Sequence, residues 1–259
     1  LNQTYEDPVW REIVGDVRFR RALSMGINRE EVLDALYFGY ASLPGTEYTE
    51  YDPAKSNQLL DEMGLDKRDA EGWRLGPDGN PVLIPILSPP WSSDYANLGE
   101  LLIEYWKALG IKATFKSIET GLIVTYLTGN ELQGSIIMTH SAMEKRLDPV
   151  IAAPLFTMEW WAYLWDKWWR TDGEQGEEPP QVVKRMLELA DTIVITPSLE
   201  DRQKALDELI SIETGNRFWI PGIIGVQAPV IVSEKLGNVP HDGLNKYPCI
   251  SAEQLFYKQ

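Results

Sequence analysis

Half of the ten tryptophans in this chain stand in one run, EWWAYLWDKWWR, residues 159 to 170. An indole offers a flat π-face that stacks on a sugar ring or an apolar side chain, and one N–H for a hydrogen bond, so such a run serves recognition and not bond-making. Read as a single helix at 100° per residue, Trp160, Trp161, Leu164, Trp165, Trp168 and Trp169 share one arc, while Glu159, Tyr163, Asp166, Lys167 and Arg170 share the other. A stripe of this kind packs on a sheet, and the central tryptophans are expected there, with Trp161 and Trp165 buried. Trp160 and Trp169 sit at the margins of the arc. They are either the edges of the packed stripe or partly exposed rings that touch a ligand or a neighbouring lobe.

A second group of polar side chains follows the apolar run Ser135 to Thr139, which reads as a buried strand. The loop His140 to Pro149 carries His140, Ser141, Arg146 and Asp148. In open α/β folds ligands gather at the carboxyl ends of strands, where this loop begins. His140, Arg146 and Asp148 therefore join Trp160 and Trp169 as candidate ligand-binding residues, beside the plainer reading of Arg146 and Asp148 as a solvated turn pair.

Other chemistries find little support. The chain contains no G-x-S-x-G elbow, P-loop or H-E-x-x-H, and the segment Gly222 to Gly225 is too short and apolar for a dinucleotide fingerprint. Nothing singles out a glycosidase carboxylate pair among the many acids. No enzymatic activity is expected. One cysteine, Cys249, excludes an internal disulfide, and two histidines, His140 and His241, leave little for zinc, so neither metal nor cofactor is expected. The acidic segment 171 to 180 fails the spacing of a calcium loop. A formal charge of −15 argues against nucleic acid as a partner. No apolar run reaches the length of a membrane span. Asn2-Gln3-Thr4 matches a glycosylation sequon, a pattern that arises often by chance.

The elements that position these residues can be read from caps and periodicity. Asp16 caps a helix with Phe19, Ala22, Leu23 and Gly26 on one face. Asn28 caps the next, with Glu31 completing a capping box and Ile27 and Val32 spaced as a hydrophobic staple. Residues 41 to 50 form a connector. Asp52 and Pro53 open a helix that Gly64 ends. Trp73 to Leu75 and Val82 to Leu87 flank turn chemistry at 76 to 80 and suggest a hairpin. A helix from Ser93, closed by Gly110, leads to a strand over 112 to 118, and a short helix is expected over 120 to 128. The second half is mostly helical. Val183, Met186, Leu187, Ala190 and Ile193 mark one helix, and Ser198 with Asp201 opens another that stops at Gly215. Strands are expected at Phe218 to Ile224 and Val230 to Ser233, with a loop-rich tail from Glu234. Alternating strands and helices imply an α/β sheet covered on both faces.

Three blocks carry a family resemblance. DVRFRRALSMGINREEV, residues 16 to 32, resembles the signature helix pair of the family 5 extracellular solute-binding proteins, the peptide, nickel and oligosaccharide receptors of bacterial ABC importers. YDPAKSNQLLDEMGL, residues 51 to 65, is similar to the family's next helix. GNPVLIPIL with LLIEYWKALGIKATFKSIE is similar to its strand, helix and strand. The resemblance implies a periplasmic-binding-protein-like lobe of class II type: a mixed sheet flanked by helices, with a helix-rich second half. It also implies that residues 1–259 form a single carboxyl-terminal lobe, a fragment whose tail, 234–259, returns toward a missing first lobe. The implied partners are a small solute, oligosaccharide or oligopeptide, and a membrane ABC permease. The implied location is periplasmic or extracellular, with a lipid anchor compatible in the full-length protein. In the family the 140 to 149 loop often supplies a tryptophan, and here it has none. The alternative is a self-associating or protein-interaction module without its own ligand.

Overall fold

Short side chains open the first four helices by the same local chemistry. Asp7 accepts from the Val9 and Trp10 amides at the start of α1 (Pro8–Gly15), and Asp16 accepts from the Arg18 amide at the start of α2 (Val17–Met25). Asn28 accepts from the Glu31 amide to open α3 (Arg29–Tyr37), with Ile27 and Val32 both buried as the staple requires. Asp52 accepts from the Lys55 amide, and Pro53 is the first residue of α4 (Pro53–Glu62). Each cap satisfies amides that the first helical turn leaves without partners.

The computed structural model describes residues 1–138, 158–226, 233–239 and 256–258, and the chain divides into two compact units, Leu1–Val226 and Gln227–Gln259. In the first unit, β1 (Leu83–Ser88) pairs in parallel with β2 (Lys112–Ser117), from Leu83 opposite Lys112 to Ser88 opposite Ser117. The helix between them, α5 (Asp94–Ala108), lies so close to β2 that a Cβ on Gly99 would stand 2.4 Å from the Phe115 ring. α6 (Thr120–Thr128) follows β2 as expected. Beyond lie α7 (Met158–Trp161), α8 (Tyr163–Arg170), α9 (Gln181–Ile195) and α10 (Leu199–Asn216). In the second unit, β3 (Leu236–Gly237) pairs antiparallel with β4 (Phe256–Tyr257).

Several expected strands are shorter than the pattern suggested. The turn at 76 to 80 forms, with the Gly76 amide donating to the Asn80 carbonyl at 2.8 Å, but only an isolated bridge joins Leu75 to Pro81. Proline has no amide to continue a ladder, and β1 pairs instead with β2. The segment 135–138 is not a strand. A single parallel bridge joins Ile86 to Gly134, after which the Ser88 hydroxyl takes the Ile136 carbonyl at 2.7 Å, and Met138 is exposed. Phe218 to Ile224 likewise makes only one bridge, Ser42 with Ile224. Thr139 and Val230 to Val232 lie outside the described residues.

The largest core packs Phe19, Ala22 and Leu23 of α2 and Leu60 of α4 with Ile84 and Ile86 of β1 and Leu102 and Trp106 of α5. A second gathers Met158, Trp161, Val183, Met186, Ile193, Leu206 and Leu209. The expected apolar face of α9 is buried throughout.

Buried arginines tie the two ends of this unit together. Arg20, 3 % exposed, donates to the carbonyls of Val14 (2.6 Å), Gly15 (2.9 Å) and Asn216 (2.9 Å) and to Gln3. Arg21 donates to the Gly215 carbonyl, and Arg29 to those of Ser24, Thr49 and Pro221. The carbonyls of a last helical turn have no partner within the helix, and they lie at the negative end of its dipole. A cation with several N–H donors fits such an end. Here it also moves the stop of α10, which runs past Gly215 to Asn216 and closes on Arg217 in the left-handed conformation, φ 49°. Burial draws Arg20 and Arg29 down to about 10, so both stay charged at neutral pH.

Replacing Arg20 by methionine keeps the stem and strands three carbonyls. Each unsatisfied buried acceptor costs about 1–3 kcal/mol, so Arg20→Met should lose about 3 kcal/mol or more in urea unfolding. Arg18→Met, which removes a half-exposed pair with Asp16 and a bond to the Glu62 carbonyl, should cost only a fraction of that.

Candidate functional site

The carboxyl ends of β1 and β2 converge on two indoles. Pro89 and Pro90 carry the chain out of β1 to Trp91, 45 % exposed, whose N–H donates to the Thr120 hydroxyl at 3.2 Å across the end of β2. Trp160 meets Trp91 edge to face, with ring centroids 5.7 Å apart and planes at 76°. Beneath, Trp160 packs on a small core of Ile118, Ile123, Leu127 and Leu132. Three residues past Trp91, at the start of α5, Asp94 accepts hydrogen bonds from the hydroxyls of Tyr37 and Ser92. Burial, and then Asp94, push the Tyr37 hydroxyl well above the ordinary range, so it stays a neutral donor. Glu119 caps α6 by accepting from the Leu122 amide at 3.0 Å, and the amides of Gly121 and Leu122 hold its carboxyl below the usual range.

The run 159 to 170 is not one helix. It breaks at Ala162, φ −161° and ψ 65°, because the amino-terminal segment supplies competing partners. The Trp161 carbonyl accepts from the Gln3 amide at 2.6 Å, and the Leu164 amide donates to the Thr4 hydroxyl at 3.1 Å. That segment is itself fixed by Asn2, buried and bonded to Asn130 and the Leu132 carbonyl, so the sequon is inaccessible in the fold. The break turns α8 relative to α7 and corrects the single wheel. Trp161 is buried and stacked on Phe218 at 4.6 Å, as expected, but Trp165 is only half-buried. Trp168 is half-buried with the Lys184 ammonium over its ring.

Asp166, expected on the polar arc, is 3 % exposed. Its Oδ2 accepts from Arg170 at 2.6 Å, while Oδ1 has no hydrogen-bond partner among the described residues. Burial raises its carboxyl above the ordinary range although Arg170 pulls it down. Glu159 is also raised, by burial and then by Asp166, with Arg170 and the Trp160 indole N–H drawing it back.

Of the five sequence-expected site residues, the structure places Trp160 in the carboxyl-end corner and Trp169 against the second core. His140, Arg146 and Asp148 lie outside the described residues. Trp91 was missed by sequence reasoning. The signal that would have found it is the rule applied to the 140 to 149 loop: it stands three residues past the end of a parallel strand. Among the described residues no group of three or more His, Cys, Asp or Glu is placed to hold a metal ion, and no helix is long and apolar enough to cross a membrane.

Comparison with known proteins settles the family. The model for the middle region of the bacterial extracellular solute-binding proteins, family 5, matches residues 1–143. The chain belongs to family 5 of the bacterial extracellular solute-binding proteins. Di/tripeptide-binding protein 1 of Pseudomonas aeruginosa is 29 % identical over 131 residues, covering 46 % of this chain and 23 % of that protein. The dipeptide-binding protein of Escherichia coli is 27 % identical over 127 residues, covering 44 % and 22 %. Among solved structures, an oligopeptide-binding protein, OppA, aligns over 100 % of this chain and 46 % of its own, at 28 % identity and a TM-score of 0.77. A periplasmic binding protein from Agrobacterium fabrum in complex with stachyose aligns over 84 % and 34 %, at 16 % identity and a TM-score of 0.65. The chain thus spans under half the length of the family structures it matches, and its fold is the α/β fold of the family's periplasmic binding proteins.

Two outcomes test the packing around α7 and α8. Asp166→Asn keeps an acceptor for Arg170 and removes the buried charge. A carboxyl raised in the folded state binds its proton more tightly there than in the unfolded chain, so its contribution to stability falls as pH rises through the raised value. The stability gain of Asp166→Asn over the wild type should therefore be largest near pH 7 and shrink on acidification, read from urea midpoints across pH 4.5–7.5. Trp161→Ala should cost about 3–5 kcal/mol by the same measurement, as truncation of a buried aromatic does.

Proposed function

We propose that this chain is one lobe of the solute receptor of a bacterial ABC importer, working in the periplasm or outside the cell. An oligopeptide would be held between this lobe and a second one by hinge closure and released to a membrane permease. The observation that carries the reading is the likeness to an oligopeptide-binding protein along the whole chain at 28 % identity, joined by curated relatives named for di- and tripeptides. The stachyose-bound neighbour, at 16 % identity, shares the fold alone and lends little to an oligosaccharide.

In this reading the corner of Trp91 and Trp160 faces the ligand. Its position at the carboxyl ends of parallel strands supports that role, because the strands' ends are where an α/β sheet leaves a crevice between flanking loops. His140, Arg146, Asp148 and Trp169 are proposed as further ligand contacts. In this reading the receptor is a binder and carrier.

A thermal-shift series on the full-length protein that carries this chain tests the proposal. A ligand that binds only the folded state stabilises it by about 2.7 kcal/mol at a hundredfold excess over Kd. Peptides of two to five residues should raise Tm, and stachyose and related sugars should not; the reverse pattern would overturn the peptide assignment. Trp160→Ala and Trp169→Ala should weaken the peptide shift while the ligand-free protein still unfolds cooperatively. A collapsed fold with unchanged affinity would return either tryptophan to the core.

A further inference from the structure

We infer that Thr4 is a positioning residue for the binding face: with the Gln3 amide it holds the joint between α7 and α8 broken, and so decides where Trp160 stands. The inference rests on the peptide-receptor reading and adds to it a side chain far in sequence from the ring that it places.

The run 158 to 170 carries no local signal to break. It contains neither glycine nor proline, and Ala162, the residue at the break, is the strongest helix former of all. In an unbroken helix the Trp161 carbonyl would accept from the Trp165 amide, and the Leu164 amide would donate to the Trp160 carbonyl. Both groups are taken instead by the amino-terminal segment, the Trp161 carbonyl by the Gln3 amide at 2.6 Å and the Leu164 amide by the Thr4 hydroxyl at 3.1 Å. The Trp165 amide turns back to the Ala162 carbonyl at 3.1 Å. Thr4 is fully buried and its hydroxyl donates to Asn2 Oδ1 at 2.9 Å, which leaves the oxygen free to accept from Leu164. Asn130 and Arg11 hold its carbonyl.

The break sends neighbouring tryptophans to different cores. Trp160 packs on Ile118, Ile123, Leu127 and Leu132, while Trp161 stacks on Phe218 in the second core, with Trp165 and Trp169 packed against the same core. One straight helix would turn Trp160 and Trp161 onto a common arc and could not serve both. Asn2 is bonded to Asn130 and to the Leu132 carbonyl, so the segment that breaks the helix is anchored in the footing on which Trp160 rests. The broken joint is held against a cost. Beside it the Trp161 and Trp165 indole N–H groups and Asp166 Oδ1 are buried without a hydrogen-bond partner among the described residues. A joint that local propensity and unmet polar groups both oppose depends on its clamps, and Thr4 supplies the one that a side-chain substitution can remove.

The full-length protein labelled with 5-fluorotryptophan provides the test, with Trp160→Phe assigning the Trp160 resonance and trialanine as the peptide probe. Thr4→Val should move that resonance and weaken trialanine binding about tenfold, as one buried hydrogen bond lowers the fraction of molecules with the joint broken. Thr4→Ser, which keeps the hydroxyl, should leave both as in the wild type. Tyr163→Pro then separates positioning from stability. Tyr163 is the first residue of α8, where proline is tolerated, whereas in a continuous helix its ring would clash with the Glu159 carbonyl. Added to Thr4→Val, it should return the resonance to its place and the affinity to within about twofold of the wild type. A Thr4→Val protein that melts lower with the Trp160 resonance and the affinity unmoved would overturn the inference. So would one that fails to fold both with and without Tyr163→Pro, since Thr4 would then be a core residue alone. If the wild type binds no trialanine, the reading beneath is what fails, and the Trp160 resonance still decides the role of Thr4.

Discussion

The fold depends on cations buried without matching anions. Arg20 and Arg29 sit in the interior with carbonyl oxygens as their principal partners, and the oxygens belong to segments nearly two hundred residues away as well as to the adjoining turns. A guanidinium is planar, permanently charged at neutral pH and rich in donors, so it can serve several carbonyls at once where a lysine would serve fewer. Helix ends are where such carbonyls accumulate. The arrangement answers two requirements together: the charge is solvated by dipoles in place of water, and the last turns of α1 and α10 receive partners that a buried helix end otherwise lacks. Arg74 does related work in the other half of the unit, where it reaches the carbonyls of Leu109 and Leu65 past the ends of α5 and α4 and also pairs with Asp61. It fixes the helices that flank the β1–β2 pair, and hence where the carboxyl ends of those strands open.

Local signals were legible wherever the deciding interaction lies within a few residues. The caps at Asp16, Asn28 and Asp52, the staple of Ile27 with Val32 and the buried face of α9 are all short-range matters of spacing and hydrogen bonding, and they stand as read. What was not legible depends on a distant partner. The break at Ala162 comes from Gln3 and Thr4, some 160 residues earlier, and no periodicity in 159 to 170 records it. The extra residues of α10 follow from Arg20 and Arg21 claiming the Asn216 and Gly215 carbonyls. The strand readings at 135–138 and 218–224 erred for a related reason: an apolar run states that a segment faces the interior, and says nothing of whether a neighbour offers a ladder.

The same contrast explains the candidate site. Trp160 could be picked out by residue type, but its place at the strand ends follows from α7 ending one residue later, which separates it from the stripe of α8. Trp91 carries no motif. It matters because β1 and β2 are parallel and in register, so the residues leaving their ends, Trp91 and Thr120, arrive side by side and can bond. Parallel pairing brings both strands' exits to one edge of the sheet; an antiparallel pair would have sent one exit to each end.

Rigidity at that edge is inherited from the core below it. Ile118 and the α6 residues Ile123 and Leu127 support Trp160, and Gly99 lets α5 lie against Phe115 of β2, so the strand that positions Thr120 is clamped by a helix whose first residue is Asp94. An edge assembled this way has little conformational freedom left to lose on meeting any partner, since Trp91 is held by Thr120 and Trp160 by the apolar residues beneath it.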